Sequence, residues 1–206
     1  MIFNIKSFNN KNLEKSFNNS MNELDKFFKL GWNTNKPNII LVEDRKTIDK
    51  LLQRKTQRWI VGWSRGNDIY LLNYKNYNKE SSNIYSEKEY FKLLKHELAH
   101  CFSNIISNYA SKPAWLLEGI SIYLSDQNKS RKRPKELSNF IEFYECNYDA
   151  NIYDESGFAV EFLVKNHGID KIILLLKRLK EAKNKEEFKI LFREIYGFKL
   201  IYDNFR

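Results

Sequence analysis

Histidine and cysteine are scarce in this chain of 206 residues, with three of the first and two of the second. Two cysteines, Cys101 and Cys146, are too few for a disulfide framework. Cys101 is expected to be a buried thiol on the apolar side of a helix, and Cys146 to lie in a helical stretch. No apolar run approaches the roughly 18 residues that a membrane-spanning helix needs. Met1 to Asn10 has neither the apolar core nor the small-residue cleavage site of a secretory leader. A cytoplasmic protein with no membrane partner is the resulting expectation. Internal repeats and low-complexity tracts are absent as well.

Acidic residues are outnumbered, 26 against 35 basic ones, which leaves a formal charge of +9. Such an excess suits nucleic acid or acidic surfaces, but the lysines are spread along the whole chain. The one dense run is Lys129, Arg131, Lys132, Arg133 and Lys135, interrupted by Ser130 and Pro134. It reads as a solvated loop between helices, so nucleic acid is not the expected partner. An apolar content of 42% is too high for a disordered chain and sufficient for a folded core.

The hydrophobic pattern places a first helix from about Asn12, as N-cap, to Leu30, with Leu13, Phe17, Met21, Leu24 and Phe28 on one face and Gly31 at its end. After Pro37, Asn38 to Glu43 reads as a buried strand. Asp44 caps a short helix carrying Ile48, Leu51 and Leu52. Arg58 to Ser64 and Asp68 to Asn73 read as a hairpin about Arg65-Gly66-Asn67. A polar loop, Asn76 to Asn83, follows, and from Ser86 the pattern is helical almost to the end. Ile172, Leu175, Leu176 and Leu179, then Phe188, Leu191, Phe192 and Ile195, form packing stripes. Strands first and helices after indicate an α+β fold. The expected divisions are an N-terminal helical segment (1–36), a sheet with two functional helices (37–126) and a helical part (127–206).

Two of the three histidines fall in His96-Glu97-Leu98-Ala99-His100, an H-E-x-x-H pattern. Ser86 and Glu89 form a capping box at the start of its helix. Phe91, Leu94, Leu98, Phe102 and Ile105 make its apolar stripe. At 3.6 residues per turn the two imidazoles lie about 40° apart, nearly opposite that stripe and able to reach one tetrahedral zinc. Glu97 is rotated aside, poorly placed as a ligand and well placed as a base toward water. A catalytic zinc needs a third protein ligand and an open position. Glu118 is the candidate: Pro113 suits the first turn of a second helix, on which Leu116, Ile120, Tyr123 and Leu124 share one side and Glu118 the other.

His96-Glu97-x-x-His100, followed by Trp115-Leu116-x-Glu118-Gly119 and Tyr123, resembles the gluzincin metallopeptidases, and among them the peptidase MA-like domains. The resemblance implies a zincin-like fold: a small N-terminal sheet beside an active-site helix, then a mainly helical part. It implies one Zn2+ per chain on His96, His100 and Glu118, Glu97 as general base, and a peptide or protein substrate. It extends to Asp68 to Leu72 as a cleft-lining strand and to Tyr153 to Gly168 as a tyrosine-led helix. Tyr153 is thereby the candidate donor to the charge-bearing oxygen, with Tyr148 and His167 as rivals. Trp59, Trp63 and Tyr70 are read as core aromatics or as lining for a substrate groove. The spacing between His100 and Glu118 is one residue shorter than is usual in aminopeptidase N-like enzymes, and the G-x-M-E-N segment that grips a free amine is missing. Endopeptidase action therefore stays open. The thermolysin-like aspartate four residues past the third ligand is replaced by Ile122. A basic helical binding protein with an inactive motif is the alternative.

Overall fold

The structure is a computed structural model that describes residues 7–145 and 151–206. Eight α-helices and one three-stranded sheet occupy the described residues, so the chain is α+β and mostly helical. Helix α1 (Lys11–Phe28) is capped by Asn10 rather than Asn12: its side chain accepts from the backbone N–H of Asn12 and of Leu13, each at 3.1 Å. It ends at Lys29, whose φ of 55° is left-handed, two residues before the expected glycine. Strand β1 (Asn38–Val42) leads into α2 (Arg45–Leu52), whose cap Asp44 accepts from Thr47 N–H at 2.7 Å.

The hairpin strands are β2 (Gly62–Arg65) and β3 (Asp68–Leu72). Gly66 at φ +62° makes the tight turn possible. The segment 58–61 is irregular rather than strand. Its backbone is gathered instead by Arg45, whose guanidinium donates to the carbonyls of Gln57, Arg58 and Ile60. The sheet order is β1-β3-β2, parallel then antiparallel. β1 is therefore a half-buried edge and not an interior strand.

A 3-10 turn, Tyr74–Asn76, and a short helix α3 (Tyr77–Glu80) replace much of the expected polar loop. The long helix α4 (Glu87–Ile106) starts at Ser86, whose hydroxyl oxygen accepts from Glu89 N–H. Only that half of the box forms, because the Glu89 carboxylate turns to Lys92 and Ser130. Leu94, Leu98 and Phe102 are fully buried, while Phe91 and Ile105 are half-buried at the ends of the stripe. α1 lies along α4, with Phe28 stacked on Phe102 at 5.4 Å.

Helix α5 (Ala114–Leu124) begins after Pro113. The stretch after it holds only 3-10 turns at Gln127–Ser130 and Phe140–Glu142 among the described residues. Its charges and Pro134 interrupt any apolar repeat, so continuous helix is not formed there. Cys146 lies outside the described residues. Helices α6 (Ile152–His167), α7 (Ile169–Arg178) and α8 (Lys185–Tyr196) complete the chain, and both expected stripes of α7 and α8 are buried.

The tightest packing joins α5 to α6. A β-carbon on Gly119 would meet the Ser156 carbonyl oxygen at 2.4 Å, and one on Gly157 would meet Ile122 at 2.4 Å. The two backbones touch where side chains would hold them apart. Gly119→Ala should therefore cost about 1–3 kcal/mol, read as a lower urea midpoint at unchanged slope. A loss below about 0.5 kcal/mol would show that the helices do not approach this closely.

Candidate metal centre and its cleft

α4 carries His96 and His100 one turn apart, and their Nε2 atoms lie 3.1 Å from each other. α5 brings Glu118 against both: its Oε2 is 3.4 Å from each Nε2. Donor atoms of a tetrahedral zinc, at roughly 2.0–2.1 Å from the metal, stand roughly 3.3–3.4 Å apart. The three groups thus have the spacing of one face of such a site, and they are the metal-capable cluster among the described residues. Glu118 Oε2 and His96 Nδ1 are buried and without a hydrogen-bond partner there. A buried carboxylate oxygen close to two imidazole nitrogens and without a hydrogen bond of its own is suited to share a cation with them. The residues fit a zinc ion.

The electrostatics of the cluster agree with that fit. Burial opposes ionisation of Glu118, yet the two flanking imidazoles outweigh it and hold the carboxyl well below its ordinary range. Burial also opposes charge on His100, but Glu118 beside it raises the imidazole to about 9. Glu97 behaves differently. Its carboxylate is buried, and burial raises its proton affinity, helped by nearby Glu118 and opposed by His96 and His100. It packs under β2, where Glu97 Oε1 lies 3.1 Å from the position of a β-carbon on Gly62. Strand and helix come this close because residue 62 has no side chain.

The centre opens into a cleft of about 1230 Å³. Trp59, Gly62 and Trp63 line one wall, and Arg131, Ile152 and Tyr153 the other. Tyr153 enters from the first turn of α6; its ring lies 6.5 Å from that of His96 and 5.9 Å from that of Trp59. His167 is at the other end of α6, against Tyr196 and Phe198, and does not line the cleft. Tyr148 lies outside the described residues. Tyr70 is not at the cleft; it stacks on Trp63 at 4.9 Å.

The strand expected to line the cleft, Asp68 to Leu72, does not line it; it is central and paired on both sides. Of the two edge strands, the one that borders the cleft is β2. Leu72 N–H bonds to the Val61 carbonyl, so by the alternation of an antiparallel ladder Gly62 and Ser64 turn their backbone groups away from β3. The hydrophobic pattern cannot tell which strand of three lies in the middle.

Glu155 was not foreseen. It sits on α6 two residues past Tyr153, buried, and accepts from the N–H groups of Ser138 (2.9 Å), Asn139 (2.6 Å) and Phe140 (3.0 Å). Just beyond, the carbonyls of Phe143 and Tyr144 accept from Trp115 N–H (2.9 Å) and Ala114 N–H (3.0 Å), the first residues of α5. α6 therefore anchors, through residues 138–144, the start of the helix that carries Glu118. No sequence motif marks so distant a bond. Gly62 had a signal, since a glycine inside a strand pattern marks close approach.

No family model matches the chain, and neither a curated protein nor a solved structure matches it significantly.

Glu155→Ala takes the acceptor from three N–H groups, of which that of Phe140 is buried, and should cost about 1–3 kcal/mol, with zinc held less tightly in a competition titration. Glu155→Gln keeps an acceptor oxygen and should recover most of both. Equal behaviour of the two variants would dismiss the anchor. The raised His100 value has its own consequence. Its folded value of about 9 lies above the ordinary 6.5, so in metal-free protein its contribution is complete below about pH 6.5 and lost as pH passes 9. With chelator present, the melting temperature should fall across that window, and less so in Glu118→Gln. Identical pH profiles for the two proteins would place no proton on His100.

Proposed function

We propose that the chain is a zinc-dependent metallopeptidase with a zincin-like, gluzincin arrangement, His96, His100 and Glu118 holding the metal. The observation that carries this reading is the three-atom cluster with tetrahedral spacing, joined by a buried carboxylate that is not part of it. A structural zinc site would have no use for Glu97 in that place. A zinc ion held there supplies a Lewis acid that acidifies water and draws charge from a carbonyl oxygen.

The chain's own groups do the rest. An extended substrate lies along the free edge of β2, bonded through the outward backbone groups of Gly62 and Ser64. Glu97 takes a proton from the attacking water on a carboxylate oxygen and delivers it to the leaving amide nitrogen. Its burial beside the cleft keeps it from solvent and within reach of the metal site. The Tyr153 hydroxyl is the candidate donor to the carbonyl oxygen as that oxygen gains charge. Trp59 and Tyr153, in contact across the cleft, restrict water at that end. The substrate is a peptide or protein. No described helix is long and apolar enough to cross a membrane. The buried free thiol of Cys101 suits a reducing compartment such as the cytoplasm.

Purified protein should bind about one zinc per chain. Glu97→Gln should keep the metal and lose about 10²–10⁴-fold in hydrolysis of a quenched fluorescent peptide mixture. Glu118→Ala should lose metal. A chain that takes up no zinc, or a Glu97→Gln variant that sheds it, would end this reading.

A further inference from the structure

The peptide-binding cleft carries basic groups that the proposed chemistry does not use. Arg54, Arg65 and Arg131 line it, whereas the carboxylates lining it outside the metal centre and Glu97 are Glu89 and Asp154. Glu89 is committed to Lys92 at 2.8 Å.

Arg131 is the member with a defined position. Ser130 just before it is fixed to the first turns of α4: its hydroxyl accepts from Lys92 and donates to Glu89. The Arg131 N–H donates to the Asn128 carbonyl at 3.1 Å, which closes the turn. Its guanidinium carbon lies 5.9 Å from the centre of the Tyr153 ring, and that ring lies 6.5 Å from the His96 imidazole. Its carboxylate neighbour is Asp154, at 3.7 Å. That is longer than the roughly 2.7–2.9 Å of a charge-assisted hydrogen bond, and the Asp154 side chain is 69% exposed. Such a screened pair contributes little to stability, so an incoming carboxylate can take the guanidinium over.

Resting on the peptidase reading, we propose that Arg131 selects substrates that carry a carboxylate within about four residues of the scissile bond. The reach follows from the two ring-length steps between Arg131 and His96, against roughly 3.3 Å per residue of extended chain. A planar guanidinium is suited to a bidentate carboxylate. An aspartate or glutamate side chain and a free C-terminus offer the same group.

The test uses the zinc-loaded full chain carrying Glu97→Gln, so that peptides bind without being cut. Three matched fluorescent peptides are titrated: a glutamine peptide with an amidated end, the same with glutamates in place of the glutamines, and the glutamine peptide with a free carboxyl end. The glutamate peptide, the free-acid peptide or both should bind roughly tenfold tighter than the neutral one. Which of them does so identifies the source of the carboxylate. The gap should shrink at high salt. Adding Arg131→Gln should abolish it while leaving the neutral peptide's affinity in place. Adding Asp154→Asn instead should widen it, by removing the competing carboxylate. Absence of a gap in the parent, or a gap that survives Arg131→Gln, would overturn the proposal. A gap that depends on Arg131, in a chain whose zinc-loaded parent cuts no peptide, would remove the peptidase reading and leave carboxylate recognition standing.

Discussion

Two imidazoles and a carboxylate are held at the floor of the cleft with their donor atoms no more than 3.4 Å apart. Burying ionisable groups that closely costs free energy unless a positive charge sits among them. In the metal-free chain a proton on His100 supplies it, which is why that imidazole is raised and Glu118 is depressed. A divalent cation would do the same with more charge and better geometry. Much of the surrounding architecture can be understood as what keeps these groups converged.

That architecture is built from close backbone contacts rather than from bulky side chains. Gly119, next to Glu118, lets α6 lie against α5, and Gly157 does the same one turn past Tyr153. The metal-facing carboxylate and the cleft tyrosine are thereby placed on two helices that cannot shift independently. Glu155 adds a second tie, from α6 through residues 138–144 to the start of α5. On the opposite side, Gly62 lets β2 settle on α4 over Glu97, which buries that carboxylate and leaves the outer edge of the strand unpaired among the described strands.

Local elements were legible where one cause dominated. The α4 stripe and the cap at Ser86 follow from helical period and side-chain chemistry within a few residues. The hairpin follows from a glycine turn between apolar runs. Errors appeared where distant packing decided. β1 is an edge and β3 is central because the chain after α2 returns to the far side of β3. Residues 58–61 are irregular because Arg45 collects their carbonyls. His167 was ambiguous in the sequence, and its helix carries it away from the cleft to Tyr196 and Phe198.

By itself, the sequence determined the chemistry of the donor set and the pairing of His96 with His100, since residues four apart on a helix are neighbours whatever the rest of the chain does. It also determined the apolar stripes that had to be buried. Only the tertiary structure decided that Glu118 reaches the same point, that β2 offers the free edge, and that Glu155 and Arg131 stand where they do. Those placements depend on how helices and strands far apart in the chain pack together, and no local pattern encodes the distance between two elements.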